Sequence, residues 1–244
     1  MTIYEKNIED ICNIRSNGLY TLRCADNLYE EKECIGQKKM IKQKEKPDNM
    51  DYEYIADAIK NLVSRNNLKK YDMITLESIA GLVRSEYSLL ENPTPIACIL
   101  HRAGFKIIKE TLQSHIPGII GISDSLKAVY GCNKILMVNS RLERRKQRFV
   151  MAIGLSLYIL NYDGHDDYIS VCVSYHKSTN EVDDKVILLA EMLLIPLDLI
   201  RDKYESMKLL GYSQSNIVTR LSKFFDVDRN IVINRMTGIG IQKI

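Results

Sequence analysis

Apolar residues along the chain first settle into a helical period after position 51. Tyr54, Ile55, Ala58, Ile59 and Leu62 recur every three or four residues, the spacing that 3.6 residues per turn puts on one side of an α-helix. A second such stretch covers residues 75–90, with Ile79, Leu82, Val83 and Leu89 inward and Thr75 as an acceptable helix cap. Pro93 and Pro95 break the pattern, and a short helix over 96–102 is expected to stop at Gly104.

The period then changes. Short β-like runs at 105–109, 118–123, 126–130 and 135–139 are divided by Pro117, Gly131 and Asn133. Three or four such strands fit a small, mostly antiparallel sheet. Helical spacing returns over 142–160, a further strand is expected within 168–173, and helices are expected over 182–195, 197–205, 214–225 and 229–236. The fold class is therefore α+β, with three segments: a poorly patterned extension or linker at 1–50, a helical region at 51–94, and the main domain at 95–244.

Composition adds bounds rather than direction. The chain has 244 residues, 45% hydrophobic and 27% charged, which is an ordinary globular balance. A formal net charge of +3 neither demands nor excludes nucleic acid. Cys12, Cys24, Cys34, Cys98, Cys132 and Cys172 form no close pairs, and no export signal is visible at the start. Reduced thiols and a cytoplasmic location are therefore expected. The longest apolar run, 149–160, is too short for a membrane span, so no membrane partner is expected.

The ordered pieces that carry more information lie between 135 and 236. Ile135-Leu-Met-Val-Asn139 ends a strand; Arg144-Arg-Lys-Gln-Arg148-Phe149 enters a helix; Ala152, Leu155, Tyr158 and Leu160 follow within it. Ala190-Glu-Met-Leu-Leu-Ile-Pro196, then Phe224-Phe-Asp-Val227 and Arg235-Met236, come later. In this order and spacing they resemble the ImmA/IrrE family of metallopeptidases, over roughly residues 95–237. The resemblance implies a zincin-like domain. Such an enzyme holds zinc with H-E-x-x-H on a helix, because spacing of four puts both imidazoles on one face and the glutamate serves as general base.

The departures matter most. Ile153 and Leu157 occupy the two histidine positions, and Gly154 the glutamate position. Asp183 falls where the family has its third, acidic ligand. Aliphatic side chains offer a metal no lone pair, and glycine cannot take a proton. Neither a resident metal nor any other cofactor is therefore expected, and no catalytic residue is assigned. The resemblance then implies a catalytically inactive protein of phage or mobile-element type. It would act by binding a repressor or host factor through the remnant groove, with Arg144, Arg145 and Arg148 as partner-binding residues. Two alternatives stay open. One is a rebuilt metal site drawing on His165, His176 and Asp183. The other is DNA binding by a helix-turn-helix-like pair: Ile217, Leu221 and Phe224, the turn at 226–228, then Ile231, Val232 and Met236, with Arg220, Lys223, Arg229 and Arg235 as cations.

Overall fold

The computed structural model describes residues 72–86, 92–162, 167–172 and 181–241. The extension at 1–50, the helix expected around Tyr54–Leu62, and both His165 and His176 lie outside the described residues.

Eight helices and four strands are described. The first helix, α1 (Met73–Glu86), begins two residues before the expected cap. Asp72 caps it instead, its Oδ1 accepting from Thr75 N at 2.8 Å. Helix α2 (Ile96–Arg102) ends where Gly104 adopts φ 84°, as its sequence foretold. The sheet comprises β1 (Lys106–Glu110), β2 (Gly118–Ile122), β3 (Lys134–Asn139) and β4 (Tyr168–Val171), in the order β1-β3-β2-β4. β1 runs parallel to β3, whereas β2 is antiparallel to both β3 and β4. The sheet is thus mixed but mostly antiparallel.

One expected strand is a helix. Residues 126–130 belong to α3 (Asp124–Tyr130), whose ends are fixed by local chemistry rather than by burial. Ser123 accepts from Ser125 N at the start, and Gly131 takes the left-handed conformation at the end. Leu126, Ala128 and Tyr130 alternate like strand residues, but the caps decide.

The central strands are buried almost throughout, β2 along its whole length and β3 from Ile135 to Asn139. The long helix α4 (Arg144–Asn161) lies across one face of both. Two glycines set how close it lies. A Cβ on Gly118 would sit 2.5 Å from Val150, and a Cβ on Gly154 would sit 2.7 Å from Leu136. Gly118, Ile120 and Leu136 share this face through the β2–β3 register and strand alternation. A buried Asn139 anchors the incoming loop, its amide directed at the carbonyls of Gln113 and Ile116.

Four more helices complete the domain: α5 (Glu181–Leu194), α6 (Leu197–Leu209), α7 (Gln214–Phe225) and α8 (Arg229–Gly238). α5 packs against α4 and α1, and α8 packs on α5 and α7. Among the described residues no helix is long and apolar enough to cross a membrane. Among the described residues, Cys132 and Cys172 are free thiols.

Candidate functional site

Helix α4 carries the positions at which a zincin would hold its metal. Its apolar run from Phe149 to Tyr158 is buried on every side, because the sheet takes one face and α5 another. Ile153 is 1% exposed and Leu157 is 3% exposed. Gly154 is pressed on Leu136, itself fully buried. These positions have been absorbed into the core. Among the described residues, these side chains are themselves too buried to meet a partner. The residues also fail the fit to a metal. Neither aliphatic side chain can ligate, and a glutamate at 154 would need the space that Leu136 fills. Asp183 lies in the first turn of α5, with its side chain outside what is described. Among the described residues no three His, Cys, Asp or Glu side chains converge as a metal set.

Ile153→Val tests the packing gently. Deleting one buried methylene is expected to cost about 1 kcal/mol in a close-packed core, measured by urea denaturation. A cost indistinguishable from zero would mean that this face is loosely filled.

The arginine-rich entry to α4 is tied to the end of α7. Asp226, left-handed at φ 50° where α7 ends, gathers all three arginines. Arg145 Nε meets its carboxylate at 3.2 Å, and Arg144 reaches it at 3.5 Å. Arg148 is buried, donating to the carbonyl of Asp226 and to that of Thr94, each at 3.2 Å. Arg145 also donates to Ser222 Oγ, whose hydroxyl in turn donates to the Val227 carbonyl. The cluster therefore ties the sheet-covering helix to the α7–α8 turn. Arg148, so engaged, offers a partner little surface. Arg144 is the one with a largely open side chain, at 72%.

The α7–α8 pair does have the short turn of a helix-turn-helix, at residues 226–228. Its cations, however, are largely engaged. Arg235 is 2% exposed. Arg229 donates to Thr219 and Ser215, and Arg220 stacks over Tyr212 at 4.2 Å.

A second buried polar group went unrecognised in the sequence. Glu191, in the last turn of α5, is 1% exposed. One of its carboxyl oxygens has no hydrogen-bond partner. Burial pushes its pKa up to about 8, against the opposing pull of Arg235 and of a hydrogen bond from Asn234. Arg235 is itself committed elsewhere: its guanidinium is paired with Glu77 of α1, and its Nε donates to the Ile195 carbonyl at 3.1 Å. One guanidinium is thus shared between two carboxyls at the junction of α1, α5 and α8. The signal was present as a lone acid in the apolar run 186–196. Lys134 and Tyr158 form a third polar pair, Nζ to hydroxyl at 2.7 Å, with burial lowering the lysine's pKa.

Residues 102–237 match the family model described as the IrrE N-terminal-like domain, a peptidase family. No curated protein sequence matches the chain.

Proposed function

From the premise that this chain belongs to the IrrE N-terminal-like family, we propose that it is a catalytically inactive member working by protein binding. In this reading it is a regulator of phage or mobile-element type that engages a repressor or another host regulator. The observation that carries the loss of catalysis is the α4 face. Ile153, Gly154 and Leu157 replace the His-Glu-His set, and they are packed into the core so that a glutamate has no room. What supports binding as the remaining activity is the surface opposite to expectation. With the ligand face closed, two adjacent large apolar side chains, Leu209 and Leu210, stand open at 87% and 74% where α6 turns into α7. Residues 206–225 around them contain Lys208, Arg220 and Lys223 and no acid. An apolar tip with a basic rim suits an acidic protein partner.

The experiment mixes the purified chain with purified candidate repressors of phage type. The expected outcome is a stable complex in which the repressor keeps its intact mass after prolonged incubation, and in which Leu209→Asp with Leu210→Asp weakens binding. Cleavage of the repressor that a chelator stops would overturn the proposal in favour of a rebuilt metal site.

A further inference from the structure

Between α1 and the corner where α5 passes into α6 lies a groove of about 230 Å³. Ala80, Met192, Pro196 and Leu197 give it apolar walls, and Glu77, Arg84 and Asp198 give it charge. Gly81 lies on its rim with open space where a Cβ would be. Its floor meets the buried network already described, because Glu77 both lines the groove and pairs with Arg235.

The charges do not balance. Glu77, Asp198 and Glu191 are three carboxyls, and Arg84 and Arg235 are two guanidiniums. Arg84 sits in the field of Asp198, and Arg235 is paired with Glu77. Glu191 is the group left over, with one oxygen unpartnered inside the fold. Among the described residues, α4, the other helix packed along α5, does not supply the missing charge. Beyond Arg148, α4 has no charged residue, and Arg148 is held at Asp226. In the absence of a third cation, a buried carboxyl stays neutral by keeping its proton.

We propose that the groove is a binding site for an alkyl cation, an ammonium or guanidinium on an aliphatic stem, which takes over Glu77 and frees Arg235 to pair with Glu191. The stem lies along Met192, Pro196 and Leu197, and the head group reaches the carboxylates of Glu77 and Asp198. The incoming charge supplies what the cluster lacks, so Glu191 loses its proton as the cation binds. The balance is one cation taken up and one proton released to solvent. By linkage, affinity must then rise with pH while Glu191 remains protonated in the free protein. This chemistry could come from a free alkylamine or from a lysine or arginine side chain of a protein. The inference goes beyond the proposed regulator function and does not depend on it.

The test is calorimetric titration of the full chain with n-butylguanidinium and n-butylammonium, in two buffers of different ionisation enthalpy. Expected are binding with close to one proton released at neutral pH, and an affinity that rises up to tenfold per pH unit from pH 6 to about 7.5. Glu191→Gln should still bind, without proton release and with no pH dependence. Gly81→Leu, which fills the groove without removing a buried partner, should abolish binding in a folded protein. Glu77→Gln should weaken it at least tenfold. A five-residue peptide with a central arginine serves as the second arm. Tighter binding by the peptide identifies a protein segment as the source, and equal binding identifies a free cation. No heat from either small cation at 10 mM with folded parent protein, or binding that Gly81→Leu leaves unchanged, overturns the proposal. Binding without proton release overturns the exchange of Arg235.

Discussion

Gly154→Glu is expected to unfold the domain. The new Cβ alone would lie 2.7 Å from Leu136 Cδ1 and 3.1 Å from its Cδ2. Leu136 is completely buried in the central strand, so it yields to a larger side chain only by displacing its neighbours. Overpacking of this kind costs about 1–3 kcal/mol. A carboxylate placed there has no partner, which adds several kcal/mol or forces it to keep its proton. Together the effects reach about 5 kcal/mol or more, comparable with the whole stability of many domains, roughly 5–15 kcal/mol. A thermal melt followed by circular dichroism should show the cooperative transition lost or moved far down. Gly154→Ala provides the graded control. The helix gains about 1 kcal/mol in propensity, and displacement of Leu136 offsets it, so the net change should be small. A stable, cooperative Gly154→Glu protein would mean that α4 can lift from the sheet, and that a groove survives beneath it. The consequence for the family motif is physical. With Leu136 in place, restoring the general base is not a single-residue change.

Glu191→Gln should make the protein more stable at high pH and leave it almost unchanged at low pH. Glu191 has its folded pKa raised to about 8 from an ordinary 4.5. The folded state therefore binds more protons than the unfolded state between those values. Stability from this group is fully present below about pH 4.5 and is lost as pH rises towards 8. The slope approaches 1.4 kcal/mol per pH unit, and the total is on the order of 3–5 kcal/mol. Glutamine keeps the shape and cannot ionise, so the loss disappears. Urea midpoints at pH 5 and pH 9 measure this. Parent and variant should agree at pH 5, and the variant should be clearly more stable at pH 9. Equal midpoints at both pH values would show that the carboxyl is ionised in the native protein and already served by Arg235.

Much of the architecture was legible because period and punctuation agreed. The apolar spacing over 142–160 and 214–225 produced helices α4 and α7 with ends within two residues. The runs ending at Asn139 and beginning at Gly118 produced the two buried strands. The sequence failed where a cap outweighed alternation, as at 126–130, and the evidence against a strand was already there in Ser123 and Gly131. Charge is usually solvated, so the sequence alone places the arginines before Phe149 on the surface. Nothing local announces that Asp226, some eighty residues later, folds back onto them. Ile153 and Leu157 were legible as non-ligands from chemistry alone, but the closed state of their face was not. That required knowing that Gly154 sits on Leu136, a contact set by sheet register. Glu191 was hidden by the same non-locality, since its partners come from α8 and, through Arg235, from α1.

The central claim is that this family member has given up its metal, and zinc content tests it most directly. The full chain would be purified without chelator from zinc-supplemented culture, dialysed, and its zinc measured against protein concentration. The account predicts far less than one zinc per chain, unchanged by substitutions at His165, His176 or Asp183. About one zinc per chain, retained through dialysis and lost on substituting any of those three residues, would contradict it and establish a rebuilt metal site.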